Sequence, residues 1–253
     1  MTSDPREMPF LDHLEELRER LIWVLVALAL ASIAGFFVVV ELNVIGLLER
    51  PIRDLMPGEL LLFTDPTTPI MVTFKLAFVV GIILALPYIA YHVWSFFSPA
   101  LHDHERRYVV PALWVAFLLF LAGIAMAYFL VLPLGLQFLL TFQAESLEPI
   151  ITIDHYLRFA TRLILAFGII FEMPVVLVLL SLLGITTPEG LRHYRRHAYV
   201  GLAVLSAILT PADLGTMMMM MGPMVLLYEA SIWLVKLVVR ERKDPASAGP
   251  GGA

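Results

Sequence analysis

One carboxylate, Glu172, stands in the middle of the apolar run LILAFGIIFEMPVVLVLLSLLGI, which is long enough to cross a lipid bilayer. A charged side chain at that depth costs about 2.5–3.5 kcal/mol on insertion scales, so it marks either a function or a buried partner. Three chemistries suit Glu172: a structural hydrogen-bonding group satisfied by a neighbouring helix or by backbone freed at Pro174, a polar anchor for a partner helix, and a proton relay. Two more acidic clusters flank apolar runs: Glu15, Glu16 and Glu19 in FLDHLEELRERL, and Asp103 and Glu105 in WSFFSPALHDHERRYVVP. Local pairing accounts for some of this, since Glu16 and Arg20 are four apart. An acidic docking site for a basic peptide is the functional alternative, because acidic residues are unexpected beside an anionic leaflet.

Other chemistry is poorly supported. His102 and His104 are two residues apart and would not share a helix face, so no metal site is expected. Met217–Met221 has no His or Cys nearby and reads as an adaptable packing surface. Glu229 reads as interfacial or paired, and Lys75 as a snorkelling cation. No HExxH, GxSxG or phosphate loop occurs, and Ser206 and His197 make no dyad. The expectation is a protein without catalytic residues, cofactor or nucleic-acid partner.

The elements that must position these residues are spanning helices. The chain is 60% hydrophobic and 15% charged, outside the range of a soluble domain. With no cysteine, disulfides and thiolate metal sites are excluded. The acidic start MTSDPREMPFLDHLEELRER is unlike the cationic opening of a cleavable signal. Apolar runs predict an all-α polytopic domain over residues 1–239, with spans at about 21–40, 71–94, 109–132, 159–183, 198–209 and 218–239, and a disordered tail at 240–253. FLDHLEELRERL is expected to lie at the interface as an amphipathic helix, with Trp94, Phe96 and Phe97 forming an aromatic belt.

Arg6, Arg18, Arg20, Arg106, Arg107, Arg192, Arg195, Arg196, Lys236, Arg240, Arg242 and Lys243 fall at one side of such a bundle. Their excess places both termini in the cytoplasm. On the other side, ERPIRDLMPGE reads as a short amphipathic helix stopped at Pro57-Gly58, and the connection at about 133–155 is too long for a simple turn. No internal repeat or matching pair of broken helices is visible. The last two spans look short: 198–209 is roughly 18 Å long against a core of about 30 Å, and Gly222-Pro223 weakens the final helix.

FLDHLEELRERL, PYIAYHVWSFFSPALHDHERRYVVP, FGIIFEMPVV, LLGITTPEGLR and AILTPADLG, in this order, resemble the TatC family over about Pro9–Val239. TatC is the six-span receptor subunit of the twin-arginine protein translocase. The resemblance implies a concave, glove-like bundle in the cytoplasmic (inner) membrane and a role in exporting folded proteins, driven by the proton-motive force. It implies recognition of paired signal-peptide arginines by Glu16 and Glu105, with His13, Arg18 and Phe96 on the same surface. It further implies an intramembrane polar role for Glu172 and outer-side roles for Pro51 and Asp213. Expected partners are single-span TatA-like and TatB-like subunits, twin-arginine signal peptides, membrane lipid and further copies of this chain. The chain departs from the family at Met217 onward, where many members carry a glutamine. The rival reading is a proton-coupled small-molecule transporter with Glu172 as relay. The missing inverted repeat and second central charge count against it.

Overall fold

The computed structural model describes residues 10–53, 55–56, 61–97, 109–141, 150–210 and 214–243. These residues are almost wholly helical. In chain order the helices are α1 (Phe10–Glu41), α2 (Val44–Arg53), α3 (Thr68–Phe97), α4 (Val109–Met126), a π-helical turn (Ala127–Val131), α5 (Leu132–Thr141), α6 (Ile153–Phe171), α7 (Met173–Leu182), α8 (Pro188–His193), α9 (Arg195–Leu209) and α10 (Leu214–Lys243). Five stretches are long and apolar enough to cross a membrane: Leu14–Glu41, Thr68–Phe96, Val110–Thr141, Ile153–Leu182 and Leu214–Val238. Their outer faces carry Leu30, Phe37, Trp114 and Phe129, all more than 60% exposed. Apolar surface this extensive needs a non-aqueous surrounding.

α1 and α3 form an antiparallel pair. Small residues set the spacing: a Cβ on Gly35 would fall 2.4 Å from the Ala77 carbonyl oxygen, and one on Gly81 would fall 2.7 Å from Cα of Ser32. In a bilayer, helices associate through close backbone packing rather than expulsion of water, which is what this seam provides. α6 is the central element. Tyr156, Leu157, Ala160, Leu163, Ile164 and Phe167 are buried along one face, with Phe120 of α4 against Gly168. The apolar window of α6–α7 is 39% buried, whereas that of α1 is 11% buried and faces lipid.

At the α2 end, two connections clasp each other. Leu62 and Thr152 form a parallel bridge, with the Leu62 N–H donating to the Ile151 carbonyl at 3.4 Å and the Ile153 N–H donating to the Leu62 carbonyl at 2.9 Å. Lys75 Nζ reaches Asp154 Oδ1 at 2.7 Å, and Arg158 holds the other oxygen of the same carboxylate. Lys75 is therefore paired as well as snorkelled. Exposed pairs of this kind contribute about 0–1 kcal/mol, so they mainly set register.

Pro51 lies inside α2 and is buried. A proline has no N–H, so the carbonyl four residues earlier, that of Leu47, loses its helical donor. The Tyr128 hydroxyl from the π-helical turn donates to that carbonyl at 2.7 Å. The Tyr156 hydroxyl from α6 donates to the neighbouring Leu48 carbonyl at 2.5 Å. Pro51 thus opens one acceptor, and through it and the adjacent Leu48 carbonyl α2 docks on the bundle, each hydrogen bond contributing about 0.5–1.5 kcal/mol.

Several expectations are corrected. FLDHLEELRERL does not form a helix of its own at the interface: with no Pro or Gly between Phe10 and Gly35, α1 runs unbroken into the span. The third span does not stop at Leu132. The π-helical turn widens the helix just ahead of Pro133, accommodates its ring, and lets the helix continue to Thr141. The fourth span starts earlier than 159, at Ile153, and is interrupted at Glu172. There are thus two discontinuous helices, but one is widened and the other broken, so they do not match as a repeat.

Of the last two helices only α9 is short, at 15 residues or roughly 22 Å. α10 is 30 residues long and passes through Pro223 unbroken. Prolines are tolerated in spanning helices because no water competes for the backbone and neighbouring groups compensate. Hydroxyls staple α9 to its surroundings. Ser206 Oγ donates to the Met217 carbonyl at 2.7 Å, and the Tyr199 hydroxyl to Glu229 Oε1 at 2.6 Å. Glu229, which also pairs with Arg195, is half-buried and paired, as its position in the sequence predicts. Met220 and Met224 are buried whereas Met218 is 63% exposed, so only one face of the methionine run packs. Trp94 is not part of a belt: it is buried with Leu179 in a small second core.

Candidate functional site

Sequence spacing alone sets up the first site. Glu16, Glu19, Arg20 and Trp23 recur three and four apart, so they line one face of α1. Tyr88 and His92 do the same on α3. Because the two helices are antiparallel, these faces meet at the end of the bundle opposite α2. They enclose a cleft of about 510 Å³. Arg20 Nε donates to Glu16 Oε1 at 2.9 Å, and Arg20 Nη2 bonds to the same oxygen. Both side chains are about three-quarters buried. The site therefore already holds a guanidinium on a carboxylate, the charge-assisted geometry by which arginine is recognised.

His92 was not anticipated from the sequence. Its ring packs on Tyr88 at 4.5 Å and edge-on to Tyr91 at 5.5 Å, and its Nδ1 is buried without a hydrogen-bond partner. The available signal was an aromatic and an ionisable residue four apart at the end of an otherwise apolar span. Phe96 follows one turn later and is half-buried. Arg18 is exposed, two residues from Glu16, and is not among the residues lining the cleft. The His13 side chain, Glu105 and Asp213 lie outside the described residues. In sequence Glu105 falls between α3 and α4.

Glu172 forms a second, separate site. Pro174 cannot donate to the helical ladder and its ring crowds the preceding turn, so α6 ends at Phe171 and α7 restarts at Met173. Glu172 sits at the break. Its N–H donates to the Ile169 carbonyl at 3.0 Å, and its carbonyl accepts from the Val176 N–H at 3.0 Å. The side chain is half-buried, with Oε1 shielded and unpaired. Neither source of internal compensation expected from the sequence, a neighbouring helix or the backbone freed at Pro174, reaches that oxygen among the described residues. Ile169 and Val176, on either side of the break, are 63% and 48% exposed, so the surrounding face is open to the bilayer.

A largely buried carboxylate–guanidinium pair in a cleft at one end, an unpaired mid-span carboxylate and a proline-opened helix docked at the other end characterise a polytopic α-helical membrane protein. Residues 12–223 match the family described as Sec-independent protein translocase protein (TatC). The TatC protein of Aquifex aeolicus is 41% identical over 239 residues, covering 94% of this chain and 98% of its own. That of Escherichia coli K12 is 38% identical over 237 residues, covering 93% and 91%. A crystal structure of the twin-arginine translocase receptor TatC superposes with a TM-score of 0.81 at 41% identity, over 90% of this chain and 100% of that one. The chain belongs to the TatC family.

Proposed function

We propose that this chain is the signal-peptide receptor and assembly core of a twin-arginine translocation system, exporting folded proteins under the proton-motive force. The observation that carries this reading is the α1–α3 cleft, where Glu16 already grips a guanidinium and Glu19 stands one turn away. A signal peptide's arginine displaces Arg20 from Glu16, and its neighbour is taken by Glu105 from the adjoining segment. Trp23, Tyr88 and His92 supply flat faces on which guanidinium groups stack. His13, Arg18 and Phe96 complete the receptor surface around the cleft.

α9 is the sixth, short crossing in this reading, so both termini share the cleft end. The Lys and Arg excess at that end supports a cytoplasmic orientation, and we read the membrane as the inner one. Pro51 and Asp213 then act at the outer side. TatA-like and TatB-like single-span subunits dock along the face bearing Glu172, and further copies of this chain join the receptor complex. For the transporter alternative no observation weighs: the two helix discontinuities differ in kind, and Glu172 has no second mid-span acid beside it.

Two measurements test this. A photo-crosslinking residue at Trp23 or Tyr88 traps a short twin-arginine peptide, and one at Leu214 on the opposite end does not; trapping at Leu214 alone overturns the assignment. A cysteine at Thr64, exposed in the α2-end connection, reacts with an impermeant thiol reagent added outside intact cells. Labelling confined to inverted vesicles reverses the topology.

A further inference from the structure

The amphipathic helix α2 separates two recesses that belong to one surface. Behind it lies a hollow of about 340 Å³ among α2, α3, α4 and α6, with walls that include Val44, Leu48, Leu76, Val80 and Ile124. On its other face lies a recess of about 330 Å³ formed by Leu42, Asn43, Gly46, Leu47, Arg50 and Arg53. Leu47 lines both, so the apolar and the cationic recess share a wall.

The charges are unequal. Glu49 is committed to Arg53 at 2.5 Å, whereas Arg50 has no carboxylate partner among the described residues. Glu41, at the end of α1, lines neither recess. Asn43 adds a neutral donor. With φ of 46° it precedes α2 and caps it: its Oδ1 accepts the Gly46 N–H at 3.2 Å, which leaves its amide NH₂ to donate. Phe129, which lines the hollow, is 75% exposed.

We infer that this composite recess binds an anionic phospholipid of the leaflet at the α2 end. One acyl chain fills the hollow, and the phosphodiester sits on Arg50 and the Asn43 amide. An apolar compartment meeting an unpaired guanidinium across one leucine is complementary to an amphiphile with a negative head. A helix, roughly 10–12 Å across, is too thick for a hollow of that size, whereas a single unbranched chain is not. A fork of N–H donors suits a phosphate better than a zwitterionic head, whose own cation competes. A lipid bound there fills the space beneath α2 and steadies the segment that Tyr128 and Tyr156 hold at Pro51.

Native mass spectrometry of the full chain in detergent, with dioleoyl phosphatidylglycerol or dioleoyl phosphatidylcholine added, reads this directly. The unaltered protein retains the phosphatidylglycerol about fivefold better, the factor for one cation near a headgroup. Arg50→Gln leaves the Glu49–Arg53 pair intact and brings the ratio to about one. Ala125→Leu, at an exposed position that lines the hollow, lowers retention of both lipids and keeps their ratio. Equal retention by the unaltered protein overturns the proposal. So does a ratio unmoved by Arg50→Gln, or retention undiminished by Ala125→Leu.

Discussion

Glu105→Gln lowers affinity for a twin-arginine signal peptide by roughly ten- to 150-fold, the range for a charge-assisted hydrogen bond of about 1.5–3 kcal/mol. Glu16→Ala has a comparable effect with an added component. In the resting cleft Glu16 neutralises Arg20, so its removal leaves an uncompensated guanidinium where the peptide's own cation must enter. Arg20→Gln has the opposite sign: it removes one internal competitor for Glu16 and raises affinity. A Lys-Lys peptide binds more weakly than Arg-Arg to the unaltered protein, since an ammonium cannot reproduce the two-point fork. Titration of both peptides in detergent measures all four. Equal affinities for Lys-Lys and Arg-Arg, or a loss of affinity in Arg20→Gln, defeats recognition by paired carboxylates in this cleft.

The parts of this architecture that were legible in the sequence are those set by one local property. Apolar length picked out five helices long enough to span, the cost of a mid-bilayer carboxylate singled out Glu172, and i,i+4 spacing anticipated the Glu16–Arg20 pair. What escaped depends on two distant segments meeting. Lys75 and Asp154 are 79 residues apart, and the Tyr156–Leu48 bond spans 108. His92 becomes a cleft residue only because α3 runs antiparallel to α1. Rules for helix breakers also misled. They assume that water takes up a backbone group orphaned by proline, but in a bilayer a widened turn at Pro133 and a passing tyrosine hydroxyl at Pro51 do this work instead. At Pro174, by contrast, the helix does break, and the residue left at the break is the one intramembrane carboxylate of that span.

That coincidence gives the second large effect. Glu172 is predicted to bind a polar side chain of a single-span partner helix rather than to relay protons. Its Oε1 is shielded and unpaired within the chain, which in lipid is a standing cost that a donor from a partner helix removes. Asp154 and His155 lie at the far end of its span, and no second central acid or histidine there offers a proton path. Glu172→Gln keeps an acceptor and adds a donor, so it retains substantial export. Glu172→Leu removes the polar group altogether and loses co-purification of the single-span subunits together with export of a folded reporter. Signal-peptide affinity survives in both variants, because the cleft is built from α1 and α3 and does not include α6 or α7. The Gln and Leu variants separate the two roles: a relay is destroyed equally by both, whereas an anchor is destroyed only by Leu. Equal loss of export with every partner still bound establishes titration as the better account of Glu172.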